Sequence, residues 1–274
     1  MDGSVPRRPG SVGFVYDLSH LARRRLLGPV AWLRQNWRVA RLVRQAEHVV
    51  ATSESVTQEL IRYLRVRPER ITTIMPGVGR SFRRPSLATT KQLQEKLRLP
   101  PRYFVGVGTI CRRRNLSMLL SAWRQAASGV QGAELVLAGI TATGSGAEAT
   151  AAANTPGVRL LGYVKPADLP ALLSGAISYL NASPADGCGI GVLEAMACGT
   201  PTLVSWHGAL AEMSGGAGIV LDPDDPSAWA AAMTLMVRQP DLRAQLGRRA
   251  RARAEEFSAG SAAVALDRAL NPDR

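Results

Sequence analysis

The sequence predicts an α/β protein with parallel, doubly wound sheets, and two observations lead to this fold class. From residue 103 onward, short and almost continuously apolar segments alternate with amphipathic helical stretches, which is typical of a sheet covered by helices on both faces. A shorter alternation of the same kind precedes residue 85. With 274 residues, of which 46% are hydrophobic, the chain can form one large or two ordinary domains.

The first part of this alternation lies between residues 12 and 78. A strand, a helix, a strand, a helix and a strand are predicted in turn at VGFVYDL (12–18), 29–45, HVVATS (48–53), ESVTQELIRYL (54–64) and ITTIMPGV (71–78). Ser55 with Gln58 has the spacing of a capping box for the second helix. A polar connection around 83–90 predicts a domain boundary, which divides the chain into 1–85 and 86–274.

The second part of the alternation is longer and more regular. Strands are predicted at YFVGVGT, AELVLAGI, VRLLGYV, AISYLNAS, TLVSW and AGIVLD, with helices near 115–127, 167–174, 190–198 and 226–237. The segment ATGSGAEATAAANT (142–155) is low in complexity and is expected to form a partly mobile loop. Residues 240–268 predict two basic helical segments at the end of the chain.

The net charge of +13 comes almost entirely from arginine, since only three of the 34 basic residues are lysine. This balance favours anionic partners such as phosphates, nucleic acid or an acidic membrane surface, although a compositional bias toward arginine would produce it too. The basic residues are scattered over several helices without interleaved stacking aromatics. We therefore do not expect a nucleic-acid partner.

Cysteine usage and the first residues predict a compartment. Cys111, Cys188 and Cys198 are odd in number and lack the spacing of disulfides or of metal ligands, as in proteins of a reducing compartment. The segment MDGSVPRRPG leads into no apolar signal-peptide core. The predicted localisation is cytoplasmic, with peripheral contact at the inner membrane face left open.

The segment GVGTICRRRN is the first candidate binding segment, because it follows a predicted strand where ligands of open α/β sheets lie. Gly106 and Gly108 allow close approach of a ligand to the backbone. Arg112, Arg113 and Arg114 follow at the opening of a helix, and guanidinium groups in that position can clamp a diphosphate. The alternative interpretation is a solvated basic turn.

The segment ADGCGIGVLEAMACGTP is the second candidate. A helix beginning near Ile190 would direct the amides of Gly189, Ile190 and Gly191 toward an anion. Glu194, one turn into that helix, could accept hydrogen bonds from the vicinal hydroxyls of a ribose, and Asp186 could bind hydroxyls on the other side of the ligand. This layout suits a nucleotide sugar, although two acids at this spacing can also occur by coincidence.

Taken in order, these segments resemble the retaining GT-B glycosyltransferases of family 4, also known as glycosyl transferases group 1. The resemblance runs from VYDLSHL to ARAEEFS and is carried by ATSESVTQELIRYLRVRPERITTIMPGV, FVGVGTICRRRNLSMLLSAW, LGYVKPADLPALLSGA, DGCGIGVLEAMACGTP and DPDDPSAWAAAM. It implies two Rossmann-like lobes, an acceptor-side lobe and a donor lobe. It also implies transfer of a sugar from GDP-mannose or a UDP-sugar to a hydroxyl of a glycan or lipid-linked acceptor, with retention of configuration.

The resemblance also implies roles for single residues. Glu194 should hold the ribose and Asp186 the donor sugar, while the amides near Ile190, with Arg113 and Arg114, should hold the diphosphate. Because cationic side chains and amides would stabilise the leaving group, the resemblance implies neither a metal nor a cofactor.

Four positions depart from the family pattern. Asp186 stands where the family usually has Glu, Arg114 where it has Lys, and Gly191 where it has Pro. In the acceptor half the family often has His-Asp, whereas here Tyr16 precedes Asp17. That histidine lies close to the reacting sugar in the family, so the resemblance makes Tyr16 and Asp17 candidate catalytic residues. The replacement of the histidine by Tyr16 also predicts that full transferase activity could be lost.

The acceptor-side lobe is shorter than the family leads us to expect. By domain-size norms a complete lobe would add roughly 100 residues before VYDLSHL. We expect either a truncated start or a homo- or hetero-oligomer in which another chain completes the sheet. The alternative function is a non-catalytic protein that binds the donor or a partner.

Overall fold

The computed structural model describes residues 10–18, 21 and 29–270, and these residues form two parallel sheets, as the α/β prediction required. Of the segment MDGSVPRRPG, only Gly10 lies within the described residues. The smaller sheet contains β1 (Val12–Val15), β2 (His48–Ala51) and β3 (Ile71–Thr73). The larger sheet contains β4 (Tyr103–Val107), β5 (Glu134–Ala138), β6 (Val158–Gly162), β7 (Ser178–Asn181), β8 (Thr202–Ser205) and β9 (Ile219–Leu221).

Helices connect the strands of both sheets and follow the last of them. In chain order they are α1 (Pro29–Gln45), α2 (Glu54–Leu64), α3 (Leu87–Lys96), α4 (Leu116–Ala126), α5 (Gly146–Ala153), α6 (Leu169–Ser174), α7 (Ile190–Ala197), α8 (Ala209–Ser214), α9 (Pro226–Arg238), α10 (Pro240–Glu255) and α11 (Ala259–Leu270). None of the helices described is both long enough and apolar enough to cross a membrane.

The larger sheet has a topological switch point between β4 and β7. Its strand order is β6-β5-β4-β7-β8-β9, so the chain builds outward from β4 on one side and from β7 on the other. All neighbouring pairs are parallel. In sheets of this kind a crevice opens beyond the carboxyl ends of the two strands at the switch, and this crevice is where ligands bind.

Two apolar cores cover the two faces of the larger sheet. Along β4, Tyr103 and Val105 pack into one core with α7, whereas Phe104 packs into the other with α4 and α9. All three side chains are fully buried. Successive strand residues point to opposite faces, so a strand buried on both sides must be apolar throughout. This explains the continuous apolar runs in the sequence.

The smaller sheet is less completely covered. Its strand order is β1-β2-β3, which leaves β1 at one edge, and its core is smaller than either core of the larger sheet. Phe14 on β1 is 38% exposed and Trp37 on α1 is 60% exposed. A cavity of about 440 Å³ opens between this strand and this helix.

The connection between the sheets packs against the larger one and meets the end of the chain. Met75, Val78 and Phe82 contact the core on the α7 face. The amide of Val78 donates to the carbonyl of Phe257 at 2.8 Å, just before α11 begins. The C-terminal helix therefore starts beside the segment that leads out of β3.

The structure corrects several local predictions. The N-cap of α2 is Ser53, whose hydroxyl accepts from the Val56 amide at 3.2 Å, and Gln58 donates to the Glu54 carboxylate instead of completing a capping box with Ser55. β3 ends at Thr73. The segment expected to be a mobile loop contains α5, and α3 begins inside the connection expected around 83–90.

Candidate functional site

Two loops meet at the carboxyl ends of β4 and β7 and form the candidate site. The loop after β4 carries the three consecutive arginines, and the loop after β7 carries the glycines. Ser183 joins the two loops, because its hydroxyl donates to the carbonyl of Arg113 at 2.9 Å. The two segments selected from the sequence are therefore adjacent, at the switch point of the larger sheet.

The arginines form a 3₁₀ turn directly before α4. This turn, Arg112–Arg114, ends at Asn115 in the left-handed conformation, with φ of 54°. The guanidinium of Arg114 lies against Gly108, whose φ is +132°, and a Cβ at that position would overlap it. Gly108 is thus favoured by its backbone conformation, and the end of the Arg114 side chain covers it.

Arg113 extends across the crevice to the smaller sheet, where it forms an ion pair with the Asp17 carboxylate. Both side chains are only partly exposed. The ion pair holds the guanidinium at the mouth of the crevice. An anionic ligand could replace this carboxylate, since guanidinium groups bind phosphate in the same forked geometry.

Asp186 holds the glycine loop in shape. Its Oδ1 accepts from the amides of Cys188 and Gly189, at 3.1 and 2.9 Å, and its carbonyl accepts from the Ala209 amide at 2.8 Å. Gly189, with φ of +66°, is the N-cap of α7. The amides of Ile190 and Gly191 lie in the first turn of α7, where helix amides have no partner within the helix.

Glu194 lies one turn into α7 and is half-buried. Burial raises its pKa to about 7. Within the described residues its carboxylate has neither a hydrogen bond nor an ion pair. A half-buried carboxylate of this kind is a strong acceptor for the hydroxyls of a ligand, because those hydroxyls would restore the hydrogen bonds that burial removed.

Tyr179 on β7 was not selected from the sequence, yet it lies beneath the site. Its hydroxyl is buried and has no hydrogen-bond partner among the described residues. Burial raises the pKa of Tyr179 to about 12, and the charges of Arg114, Asp186 and Glu194 all act on this hydroxyl. These three charged side chains therefore contribute to the electrostatic environment of this hydroxyl.

The same tyrosine accounts for one departure from the family pattern. A Cβ at Gly191 would lie 2.6 Å from the Tyr179 Oη, closer than real Cβ contacts come. The hydroxyl occupies the space that a larger residue at 191 would need. The glycine in the first turn of α7 is thus explained by packing against β7.

The smaller sheet closes over the glycine loop. The carbonyl of Gly187 accepts from the hydroxyls of Thr52 and Ser53, at 2.9 and 3.0 Å. A Cβ at Gly187 would overlap the backbone of Tyr16 and Asp17. The side chain of Tyr16 is itself 61% exposed, so Asp17 reaches the site through its ion pair and the Tyr16 ring remains largely in solvent.

Two acidic residues near the contact between the two sheets were not predicted from the sequence. Glu212 on α8 accepts from the amides of Glu54 and Ser55 at the start of α2, at 2.9 and 2.7 Å. Glu59, further along α2, has its pKa raised to about 7 by burial and by the charge of Asp17. Neither acid belongs to a motif of its own, so only the packing of the two sheets reveals them.

The chain matches known families over most of its length. Residues 101–239 match the family described as Glycosyl transferases group 1, and residues 8–82 match Glycosyltransferase Family 4. The two matches cover the larger and the smaller sheet almost entirely.

Curated relatives extend beyond this chain. It is 29% identical over 226 residues to O-antigen chain mannosyltransferase B of Escherichia coli, covering 78% of this chain and 57% of that protein. It is 30% identical over 236 residues to D-inositol 3-phosphate glycosyltransferase of Salinispora tropica, covering 79% of this chain and 49% of that protein. The chain thus spans about half the length of the curated relatives it matches.

Solved structures show the same fold at lower identity. HepE of Anabaena, crystallised in complex with UDP, superposes with a TM-score of 0.80 at 21% identity, over 95% of this chain and 72% of that one. WaaG, a glycosyltransferase involved in lipopolysaccharide biosynthesis, superposes with a TM-score of 0.78 at 17% identity, over 98% and 75%. The architecture is therefore of the GT-B type.

Proposed function

The chain belongs to the glycosyl transferases group 1 family, and we propose that it transfers a sugar from a nucleotide-diphosphate donor to an acceptor hydroxyl with retained configuration. The observation that carries this proposal is that the arginine loop and the glycine loop, which Ser183 joins, meet at the switch point of the larger sheet, beside a half-buried Glu194 carboxylate that has no partner among the described residues. A nucleotide-diphosphate donor needs cations that bind its diphosphate and a carboxylate that accepts hydrogen bonds from its ribose.

In this proposal Glu194 accepts hydrogen bonds from the ribose hydroxyls. Arg113 and Arg114, with the amides of Ile190 and Gly191, hold the diphosphate. Binding requires Arg113 to exchange its ion pair with Asp17 for the ligand.

Asp186 would contact the donor sugar through its second carboxylate oxygen, since Oδ1 is bound to the loop amides. Oδ2 has Asn181 Nδ2 at 3.5 Å, a weak contact that a sugar hydroxyl could replace. This role depends on the glycine loop keeping its shape, because the same side chain maintains that shape.

The chemical step would rely on electrostatic stabilisation without a metal. The bond from the anomeric carbon to the diphosphate oxygen breaks, a bond to the acceptor oxygen forms on the same face of the sugar, and the proton of the acceptor hydroxyl passes to the leaving diphosphate. Negative charge develops on the leaving diphosphate, where the two guanidinium groups and the helix amides would stabilise it.

The donor is either GDP-mannose or a UDP-sugar. One relative is a mannosyltransferase, which supports the first. The structural neighbour HepE is known in complex with UDP-glucose, which supports the second.

We further propose that residues 1–85 form an acceptor-side lobe and residues 86–274 the donor lobe. The open edge of β1 supports pairing with further strands, supplied by the same chain or by another one in an oligomer. The acceptor would be a glycan or a lipid-linked glycan, reached at the cytoplasmic face of a membrane that attracts the basic surface.

A second candidate function is donor binding without turnover. It is favoured by the position of Tyr16, whose ring is 61% exposed where the family often has a histidine near the reacting sugar. In this case the larger sheet would bind a nucleotide sugar and the smaller sheet would contribute no chemistry.

Release of UDP or GDP from UDP-glucose or GDP-mannose, in the presence and absence of glycan acceptors, separates the two candidates. The transferase proposal predicts release that Arg114→Gln reduces, while Arg67→Gln, an exposed arginine of the smaller region, leaves it unchanged. Saturable binding without release from either donor would favour the second candidate and contradict the first.

A further inference from the structure

A second concave site lies at the end of the larger sheet that is opposite to the crevice. Its cavity, of about 330 Å³, is lined by residues that precede β7 and β8, among them Ile177 and Pro201, and by one face of α10. The volume lies at the lower end of the range for small-molecule sites. Because all strands of this sheet are parallel, their starting ends and their carboxyl ends face opposite directions.

Arginine dominates the lining of this cavity. Arg84, Arg243, Arg248 and Arg251 all contribute to it, and no Asp or Glu is among the described residues that line it. Guanidinium groups are planar, permanently charged and matched in geometry to phosphate oxygens. The lining therefore selects for an anion, and for one with several oxygens.

The packing of α10 directs its arginines to the cavity. Gly247 lies against the loop that follows α7, and a Cβ there would be 2.6 Å from the Gly199 carbonyl oxygen. Residues 244, 247, 248 and 251 share one face of the helix, so close packing at 247 brings Arg248 and Arg251 over the same space.

Arg243 is held in place from the opposite side. Its Nη1 donates to the carbonyls of Met236 and Val237 in the last turn of α9, at 2.6 and 3.2 Å. Its Nε and Nη2 are left for other acceptors. Within the described ranges, the other three arginines of the cavity form no ion pair.

We propose that this cavity, which we call the α10 arginine site, binds a phosphate-bearing ligand that is distinct from the nucleotide donor. Four guanidinium groups around one space repel each other, and no described carboxylate in the lining offsets that repulsion. A phosphate group would offset it. Such a group occurs both in free phosphate compounds and in the headgroups of anionic lipids, and the experiment below distinguishes the two sources.

The first arm of the test is calorimetric titration with inorganic pyrophosphate. Arg248→Gln removes one cation of the site, whereas Arg249→Gln removes an equally exposed cation of the same helix that does not line the cavity. Any binding of pyrophosphate in the donor crevice contributes equally to both variants. We expect Arg248→Gln to weaken binding roughly tenfold, as for loss of a charge-assisted hydrogen bond, and Arg249→Gln to leave it unchanged.

The second arm is co-sedimentation with phosphatidylcholine vesicles that contain or lack phosphatidylglycerol. A selective effect of Arg248→Gln on pyrophosphate binding identifies a free phosphate compound as the ligand, and a selective effect on vesicle binding alone identifies a lipid headgroup. Ala244→Glu, which adds a carboxylate to the lining, should abolish the same binding. Equal effects of Arg248→Gln and Arg249→Gln, or no effect of Arg248→Gln in either arm, would overturn the proposal.

Discussion

In the larger sheet, helices cover both faces and β4 keeps Tyr103 and Phe104 fully buried, whereas the smaller sheet leaves Phe14 on its edge strand 38% exposed. The candidate donor residues Arg114, Asp186 and Glu194 all belong to the larger sheet and its loops. The smaller sheet contributes Asp17 and the hydroxyls that bind Gly187. A region with a closed core can maintain a binding site by itself, so donor binding should depend much less on the smaller sheet.

Removing one large aromatic side chain from each region should show the largest difference in stability between the two regions. Trp229 on α9 is fully buried and donates to the Asp222 carbonyl at 2.9 Å, whereas Trp37 on α1 is 60% exposed. Trp229→Ala should lower the free energy of unfolding by about 3–5 kcal/mol, because it leaves a cavity in the core. Trp37→Ala should change it by less than about 0.5 kcal/mol.

Urea unfolding of the two variants measures this difference directly. A loss for Trp37→Ala as large as that for Trp229→Ala would mean that the smaller region is covered more completely than its exposed side chains indicate.

Two glycines, one in the glycine loop and one in α7, pack against different sheets. A Cβ at Gly187 would lie 2.3 Å from the Tyr16 carbonyl oxygen and 2.7 Å from the Asp17 Cα, in the segment that follows β1. Gly187→Ala should destabilise the protein by about 1–3 kcal/mol through overpacking, and should increase hydrogen exchange at the amides of Glu54 and Ser55, which Glu212 holds.

Gly191→Ala is the matched variant, because its clash is with the Tyr179 hydroxyl and lies wholly within the larger sheet. Gly191→Ala should also destabilise the protein, but it should leave hydrogen exchange at the amides of Glu54 and Ser55 unchanged. Tyr179→Phe removes the clashing oxygen and should recover most of the loss in a double-mutant cycle. Additive effects of the two substitutions would argue against the packing explanation for Gly191.

Stability should also depend on pH, and each region contributes one carboxyl to this dependence. The pKa values of Glu59 and Glu194 are both raised to about 7 in the folded chain from an ordinary value of 4.5. Each carboxyl keeps its proton in the folded state over a range where the unfolded chain has lost it. The resulting stabilisation is complete below pH 4.5 and is lost as pH rises through about 7.

Unfolding in urea at a series of pH values from 4 to 8 tests this directly. The free energy of unfolding should fall with rising pH, and Glu59→Gln and Glu194→Gln should each flatten part of that fall. Affinity for UDP-glucose or GDP-mannose, whose diphosphate does not titrate in this range, should instead rise as pH increases through about 7, because the ionised Glu194 is the better acceptor for hydroxyls, and only Glu194→Gln should remove this rise. A nucleotide-sugar affinity independent of pH in the unmodified chain would contradict the ribose role.

Much of the larger sheet could be predicted from sequence because its strands are buried on both faces and read as apolar runs. The position of the two site segments followed from the same pattern, since both come directly after strands. The shape of the glycine loop could not be predicted from this pattern. Asp186 binds the amides of Cys188 and Gly189 through a local turn, and the spacing of the two acids carries no information about that turn.

Features that depend on contacts between distant segments could not be predicted. The helix cap at Ser53 takes precedence over the capping-box pattern at Ser55, because Glu212 from α8 binds the Ser55 amide. Helix α5 formed in a segment whose small, repetitive residues suggested a loop, and the buried Ala152 shows that tertiary packing holds it. The sequence pattern predicted Tyr179 only as an apolar residue of a buried strand, although its hydroxyl lies under the site.

Calorimetric titration with UDP, GDP, UDP-glucose and GDP-mannose tests the central claim, that the larger sheet carries a nucleotide-sugar site with Glu194 as its ribose acceptor. Three proteins are needed: the unmodified chain, Glu194→Gln, and Glu95→Gln, an exposed carboxylate on α3 that serves as the control. We predict saturable binding for the nucleotides of one base, weakened roughly ten- to a hundredfold in Glu194→Gln and unchanged in Glu95→Gln. Absence of binding by the folded protein, or equal binding by all three proteins, would contradict the claim.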